Sequence, residues 1–163
     1  MMPQRMAAPL RCVLSPHIRP MLSQGGAALP FSIRLRVAPQ DLDELQHVSN
    51  VVYVRWIQDV AVAHSESVGL SLAGYRQLGA VFVVRRHEVD YLRPALADDE
   101  VEVETRVAAM SPVTATRKTF IRRVADGQVL VQAQTQWAYV STSTGRPVRI
   151  PPEVFERFTL EPL

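Results

Sequence analysis

The chain has 163 residues, of which 47% are apolar, so it is long enough to form one domain with a hydrophobic core. Its single cysteine, Cys12, argues against a disulfide-stapled secreted protein. No apolar stretch approaches the roughly 20 residues that a membrane-spanning helix needs. Residues 1–40 hold five arginines and no acid, whereas the remainder carries 13 basic and 16 acidic side chains. This mildly acidic remainder gives no support for a nucleic-acid-binding domain.

Residues 1–30 contain five prolines and the pair Gly25-Gly26, which argues against a long helix or a central strand. We expect a disordered or targeting-like N-terminal extension at 1–30, followed by one domain at 31–163. The arginines, the serines and the lack of acids are compatible with a targeting peptide, but the continuous apolar core of a secretory signal is missing. The expected location is the cytoplasm, with organelle targeting left open.

Hydrophobic periodicity predicts the elements that follow. Alternating apolar and polar residues mark the strands, whereas the segment from Asn50 is apolar over most of its circumference and is expected to be a buried helix. The predicted order is a strand at 31–37, a helix at 50–68, a short helix at 71–78, strands at 80–92, 99–109, 114–124 and 129–139, and a short helix after Pro151-Pro152. This order predicts an α+β fold in which one curved antiparallel sheet wraps a long buried helix.

The stretch QDLDELQHVSNVVY, residues 40–53, carries the most chemical information. Asp41 and Asp43 lie in the loop before the predicted helix, and His47 follows four residues after Asp43. A helix N-terminus offers unpaired backbone N–H groups and a partial positive charge. An acid or base beside such an end suits acyl-transfer chemistry, because the N–H groups can stabilise an oxyanion.

This stretch resembles the signature of hotdog-fold acyl-CoA thioesterases of the 4-hydroxybenzoyl-CoA thioesterase type, whose usual pattern is Asp-x-Asp-x-x-Gly-His-Val-Asn-Asn-x-x-Tyr. The matching positions are Asp41, Asp43, His47, Val48, Asn50 and Tyr53. Gln46 stands where the family usually has glycine, and Ser49 where asparagine is common, which raises the question of whether the loop keeps the family's shape. Weaker similarity at 85–107 and 138–154 extends the resemblance over residues 32–158. It implies the hotdog fold.

The resemblance also implies roles for individual residues. Asp43 is expected to attack the thioester carbonyl or to activate water, with a turn-capping role as the alternative. Asn50 is expected to lie where a backbone N–H holds the thioester oxygen, with an ordinary helix cap as the alternative. His47 is a candidate for orienting Asp43 or handling protons, and the alternative is a structural loop histidine. Tyr53 is expected to contact the substrate.

Two further groups of residues bear on the site. Arg117 and Lys118 resemble a family segment whose basic residues contact coenzyme A phosphates, with a solvated strand edge as the alternative. Asp59 and Glu66 are rival carboxylates, because another branch of hotdog enzymes uses a helix carboxylate. Their place on a polar stripe with Arg55 favours a solvated face instead, and the i,i+4 spacing of Arg55 and Asp59 allows them to pair.

The sequence therefore predicts an acyl thioesterase that hydrolyses an acyl-CoA or acyl carrier protein thioester, with no cofactor and no metal. The alternative is a non-catalytic acyl-CoA-binding protein such as a metabolite sensor. The sequence lacks G-x-S-x-G, a Gly-rich phosphate loop and H-E-x-x-H. A single hotdog sheet leaves an open edge and residues 80–84 are continuously apolar, so we expect a homodimer or homotetramer joined there.

Overall fold

The computed structural model describes residues 19–21 and 30–158, and six strands in these ranges form one antiparallel sheet. The elements in chain order are β1 (Arg19–Met21), β2 (Phe31–Arg36), α1 (Asn50–Ser67), α2 (Leu72–Gln77), β3 (Ala80–Tyr91), β4 (Glu100–Met110), β5 (Thr114–Arg123), β6 (Val129–Ser141) and α3 (Pro152–Phe155). In space the strands follow the order β1-β2-β4-β5-β6-β3. The predicted α+β architecture is confirmed.

Helix α1 forms the centre of the core and contacts β2 and β4. Its buried residues, which recur at helical spacing, are Val52, Tyr53, Trp56, Ile57, Val60, Ala61 and Ala63. Burying a large apolar side chain contributes about 1.5–3 kcal/mol, so this face fixes the helix on the sheet. The helix ends before Gly69, whose φ of 80° is a left-handed conformation that glycine adopts readily. No helix within residues 30–158 is long and apolar enough to cross a membrane.

The sheet is bent by irregularities in strand pairing. The register shifts between β3 and β6, between β4 and β5, and between β5 and β6, at Val84/Arg86, Val107/Ala109 and Ile121/Arg122. Extra residues of this kind bend a strand and increase its twist. The bends allow one sheet to curve around α1.

Strand β1 lies inside the extension that we expected to be disordered. Arg19–Met21 pair with β2 in antiparallel register, at the edge of the sheet. At these three residues the structure differs from the expectation, because an edge strand tolerates a residue such as Pro20 that lacks an N–H. The remainder of the predicted extension lies outside the described residues, and its targeting role stays a prediction.

The opposite edge of the sheet is formed by β3. This strand has 12 residues and pairs with β6 on one side, while no described strand pairs with its other side. Its first residues are the apolar run at 80–84, in which Val83 is 40% exposed. The long edge is therefore the part of the sheet with most unpaired backbone groups.

Candidate active site

The loop between β2 and α1 folds into a small hairpin that ends at the start of the helix. The N–H of Asp43 donates to the carbonyl of His47 at 2.8 Å, and the N–H of Ser49 donates to the carbonyl of Asp41 at 2.9 Å. The N–H of Gln46 donates to the carbonyl of Asp43 at 3.0 Å and closes the turn. The hairpin therefore holds Asp43 at its tip and brings Asp41 beside Ser49, the N-cap of α1.

The Asp43 carboxylate is exposed and only partly engaged. Its Oδ1 accepts hydrogen bonds from the N–H groups of Leu45 at 2.8 Å and His47 at 3.3 Å. Its Oδ2 has no hydrogen-bond partner within residues 30–158. The turn-capping and catalytic interpretations are thus compatible, because one oxygen fixes the loop while the other remains available. His47 contributes through its backbone, and a direct role for its ring stays a prediction.

Gln46 occupies the turn position at which the resembling family usually has glycine. Its φ is 61°, in the left-handed region where glycine is favoured. A non-glycine residue in this conformation costs about 1–2 kcal/mol. The loop therefore keeps the backbone conformation that glycine favours, although the residue is a glutamine. The steric cost of this conformation at Gln46 lowers the stability of the folded protein.

Asp41 has a different role from Asp43. It is 6% exposed; its Oδ1 accepts a 2.6 Å hydrogen bond from Arg55, and its Oδ2 accepts a 3.0 Å bond from the N–H of Ala38. The guanidinium of Arg55 forms its ion pair with the buried Asp41 carboxylate and not with Asp59, although it lies close enough to lower the pKa of Asp59 in part. Asp41 connects the hairpin to the first turns of α1 and so positions Asp43.

The first turn of α1 presents free backbone donors beside the hairpin. The N–H of Ser49 is bonded to Asp41, but the N–H groups of Asn50 and Val51 have no acceptor within residues 30–158. Both residues are exposed, and the Ser49 side chain does not cap the helix. Free N–H groups at the positive end of a helix can stabilise an oxyanion. Asn50 thus lies at the helix start, as predicted.

A match to a known protein family identifies the superfamily to which this chain belongs. A family model described as the thioesterase-like superfamily matches residues 37–158, which include the hairpin and α1. The chain belongs to the thioesterase-like superfamily. The predicted family is therefore confirmed, and membership supports thioester hydrolysis as the general class of activity.

Individual relatives of this thioesterase-like protein are distant. Oleoyl-acyl carrier protein thioesterase 2, a chloroplastic protein of Arabidopsis thaliana, is 26% identical over 108 residues; the match covers 63% of this chain but only 29% of the plant protein. A hypothetical protein of Aquifex aeolicus has a TM-score of 0.73 and 25% identity, covering 80% of this chain and 100% of its own. A 1,4-dihydroxy-2-naphthoyl-CoA thioesterase of Synechocystis has a TM-score of 0.73 and 18% identity, covering 78% and 94%. These structures confirm the predicted hotdog fold.

Tyr53 lies in the core of this thioesterase-like protein. Its side chain is 3% exposed, and its hydroxyl accepts a 2.8 Å hydrogen bond from the N–H of Ala95. The carbonyl of Ala95 accepts a 3.0 Å bond from the N–H of Val48, so Ala95 joins Tyr53 to the hairpin. Burial raises the pKa of Tyr53. This position does not fit the predicted substrate contact and gives Tyr53 a supporting role beneath the helix start.

Arg117 and Lys118 point to opposite faces of β5, as successive strand residues do. Arg117 is 7% exposed on the inner face, whereas Lys118 is exposed on the outer face. The predicted contact with coenzyme A phosphates requires exposed cations, and Arg117 is not exposed. The alternation of the strand was the missed signal, because Ala115, Thr119 and Ile121 lie at the same period and are buried. Contact of Lys118 with coenzyme A stays a prediction.

The rival carboxylates of α1 lie away from the hairpin. Asp59 is half-buried, and burial raises its pKa while the nearby Arg55 lowers it in part. Nine residues of helix, or roughly 13 Å, separate Asp59 from Asn50. Glu66 is exposed and lies farther along the helix. The structure thus places Asp43 and His47 in the hairpin and Asn50 at the helix start that follows it, with these two carboxylates farther along α1.

Proposed function

We propose that this protein is an acyl thioesterase that hydrolyses an acyl-CoA or acyl carrier protein thioester to a free acid and a thiol. The observation that carries the proposal is the exposed Asp43 carboxylate, fixed by two backbone N–H groups beside a helix start with free donors. Asp43 supplies a base or nucleophile, and the N–H groups of Asn50 and Val51 supply electrostatic stabilisation.

In the general-base route, Asp43 takes a proton from a water whose oxygen attacks the thioester carbonyl carbon. The carbonyl oxygen becomes an oxyanion and lies against the N–H groups of Asn50 and Val51. The oxyanion then re-forms the carbonyl as the C–S bond breaks, and the departing thiolate takes the proton from Asp43. In the nucleophilic route, Asp43 attacks the carbonyl carbon and forms a mixed anhydride as the C–S bond breaks and the thiolate departs. Water then hydrolyses the anhydride to the free acid, and its remaining proton passes from Asp43 to the thiolate.

Exposed cations near the hairpin are candidates for contact with the phosphates of coenzyme A. Lys118 borders a groove on the outer sheet face together with Glu88 and Asp90, whose charges oppose phosphate binding. Arg93 is exposed two residues beyond Tyr91, and the Tyr91 hydroxyl donates to the carbonyl of Asn50 at 3.4 Å. Arg93 is therefore our candidate for a coenzyme A phosphate contact near the helix start.

We also propose that two copies pair through the open edge of β3, as a homodimer or as half of a homotetramer. The edge offers unpaired backbone groups and exposed apolar side chains, including Val83 and Tyr91. An antiparallel pair of β3 strands would set the start of one strand against the end of the other. Light scattering should give a dimer or tetramer for the wild type and a smaller species for Val83→Arg.

The experiment that tests the function is a hydrolysis panel with detection of the released thiol. It compares acyl-CoA, acyl carrier protein and N-acetylcysteamine thioesters of several chain lengths, with wild-type protein and Arg93→Ala. Arg93→Ala should raise KM for acyl-CoA and leave the N-acetylcysteamine thioester unaffected, because that substrate has no phosphates. Tight binding of acyl-CoA without hydrolysis of any thioester would favour the non-catalytic binding protein.

A further inference from the structure

A buried arginine lies between the C-terminal half of α1 and the sheet, away from the hairpin. Arg117 is 7% exposed. Its guanidinium donates to Nδ1 of His64 at 2.8 Å and to Oγ of Ser65 at 3.4 Å, and it lies 5.2 Å from the ring centre of Phe158. Burial and the neighbouring Arg117 lower the pKa of His64 to about 3, so this histidine is neutral at physiological pH.

All of these partners are therefore neutral. Within residues 30–158, no carboxylate lies within ion-pair distance of the Arg117 guanidinium. Burial lowers the pKa of Arg117 to about 10, and the side chain stays protonated at neutral pH. Buried charges are costly unless an opposite charge and hydrogen bonds compensate them, and arginine is rarely buried without such a partner. The surroundings of Arg117 thus favour an additional anion.

A cavity beside Arg117 provides room for one. Its volume is about 100 Å³, and its walls include the apolar side chains of Leu70, Phe82 and Met110. Glu66 also lines it, but this carboxylate is exposed to solvent and forms no ion pair with Arg117 within residues 30–158. Since about 10–15 Å³ of such volume accommodates one water, a short carbon chain fits. Tyr75 also lines the cavity and is 7% exposed, and its hydroxyl makes no hydrogen bond of acceptable geometry in the described part of the chain, although Ser65 is nearby.

We propose that this cavity binds a carboxylate carried on a short apolar chain, with the carboxylate on Arg117 and Tyr75 and the chain against the apolar wall. A guanidinium forms two parallel hydrogen bonds with a carboxylate, and the free tyrosine hydroxyl supplies a third donor. A neutral head group would leave the arginine charge uncompensated, and an inorganic anion would leave the apolar wall unused. Ser65 lies 15 residues beyond Asn50 on α1, or roughly 22 Å, so this site is separate from the hairpin.

The carboxylate can come from two sources. It is either a free carboxylic acid, which needs only the short chain that the cavity holds, or the far end of a dicarboxylic acyl group long enough to span the roughly 22 Å from the thioester at Asn50. The second source rests on the proposed thioesterase function. Equilibrium binding distinguishes the cavity from catalysis, because it requires no turnover. A protein that binds carboxylates but hydrolyses no thioester would refute the proposed function alone, and the reverse result would refute the cavity proposal alone.

The binding experiment is calorimetry of the full chain with hexanoate and with hexanol, which has the same chain length without the charge. Hexanoate should bind and raise Tm, whereas hexanol should bind much more weakly. Arg117→Gln should weaken hexanoate binding by at least ~10-fold, as expected for loss of a charge-assisted bond. Lys118→Gln is the matched control, since it removes the same charge from the outer face of the same strand and should leave hexanoate binding unchanged.

Tyr75→Phe keeps the test decisive if Arg117→Gln does not fold. The hydroxyl that it removes makes no hydrogen bond of acceptable geometry within residues 30–158, so Tm without ligand should stay the same or rise. Hexanoate binding should nevertheless weaken by about 3–10-fold, as for loss of one hydrogen bond. Equal binding of hexanoate and hexanol, or unchanged hexanoate binding by Tyr75→Phe, would overturn the proposal.

Steady-state kinetics then identify which of the two sources supplies the carboxylate. The substrates are an acyl-CoA with a distal carboxylate and the methyl ester of the same compound. A higher kcat/KM for the carboxylate, lost in Arg117→Gln, would assign the cavity to the substrate's acyl group. Hexanoate binding without any such preference would assign it to a free carboxylic acid, and either result supports a carboxylate site.

Discussion

The guanidinium of Arg55 donates a 2.6 Å hydrogen bond to the buried carboxylate of Asp41. This contact joins the hairpin to α1, and Asp41 has no free oxygen left for chemistry, since Ala38 occupies the other one. We expect Asp41→Asn to lower the free energy of unfolding by about 1–3 kcal/mol, because the charge-assisted bond is lost. Urea denaturation measures the loss. Turnover per folded molecule should remain near the wild-type value.

Asp43→Asn should have the opposite effects, because it should lower turnover and leave stability intact. The amide oxygen can still accept the N–H groups of Leu45 and His47, so the loop should keep its shape. The amide cannot attack the thioester or accept a proton from water, and kcat should therefore fall by at least ~10²-fold. KM should change much less, and Tm should hold or rise, because catalytic carboxylates often cost stability.

Asp59→Asn is the matched control for this experiment. It removes a half-buried carboxylate of α1 outside the hairpin, and most activity should remain. Near-normal turnover by Asp43→Asn together with inactive Asp59→Asn would identify the helix carboxylate as the catalyst. If all three aspartate variants stay active, the mechanism proposed for Asp43 is wrong.

Gln46→Gly should stabilise the protein. The residue has a φ of 61°, which glycine adopts without the steric penalty that glutamine suffers. Glycine is also more flexible in the unfolded chain, which offsets part of the gain, so we expect a net increase of up to about 1 kcal/mol in the free energy of unfolding. Gln46→Ala keeps the penalty and should give no such gain. A fall in stability with glycine would show that the glutamine side chain supports the turn.

His64 should make stability depend on pH. Its pKa is about 3 in the folded protein and near 6.5 in an unfolded chain. Between these values the unfolded state binds a proton that the folded state does not, so the free energy of unfolding should decrease as pH falls below about 6.5. The measurement is urea denaturation at about pH 7 and about pH 5, above the range in which most carboxylates titrate.

His64→Gln should reduce this dependence, because glutamine does not titrate and its oxygen can still accept from Arg117. His87→Gln is the comparison. Burial alone lowers the pKa of His87, whereas burial and Arg117 together lower the pKa of His64. His87→Gln should therefore remove a smaller part of the pH dependence of the free energy of unfolding. An unchanged pH dependence in His64→Gln would show that His64 titrates normally in the folded state.

Periodicity predicted α1 and the strands β2 to β6 to within a few residues, and Pro151-Pro152 marked the start of α3. It did not predict which partner a charged side chain takes. Arg55 lies one helical turn from Asp59, yet the loop brings Asp41 to it by a tertiary contact that sequence spacing does not encode. The motif located Asp43 and Asn50, but no sequence pattern marks Tyr75, since the cavity that it shares with Arg117 forms only when α1, α2 and the sheet pack together.

Strand β1 has a consequence for how copies of this protein can associate. It occupies the outer side of β2 with three residues, including a proline that lacks an N–H. A chain shortened to begin at residue 31 would have open edges at both β2 and β3. Pairing between unlike edges is head-to-tail and adds copies without limit unless the rotation closes a ring, whereas pairing of β3 with β3 stops at two. The three residues of β1 would thus oppose open-ended assembly by covering part of the β2 edge.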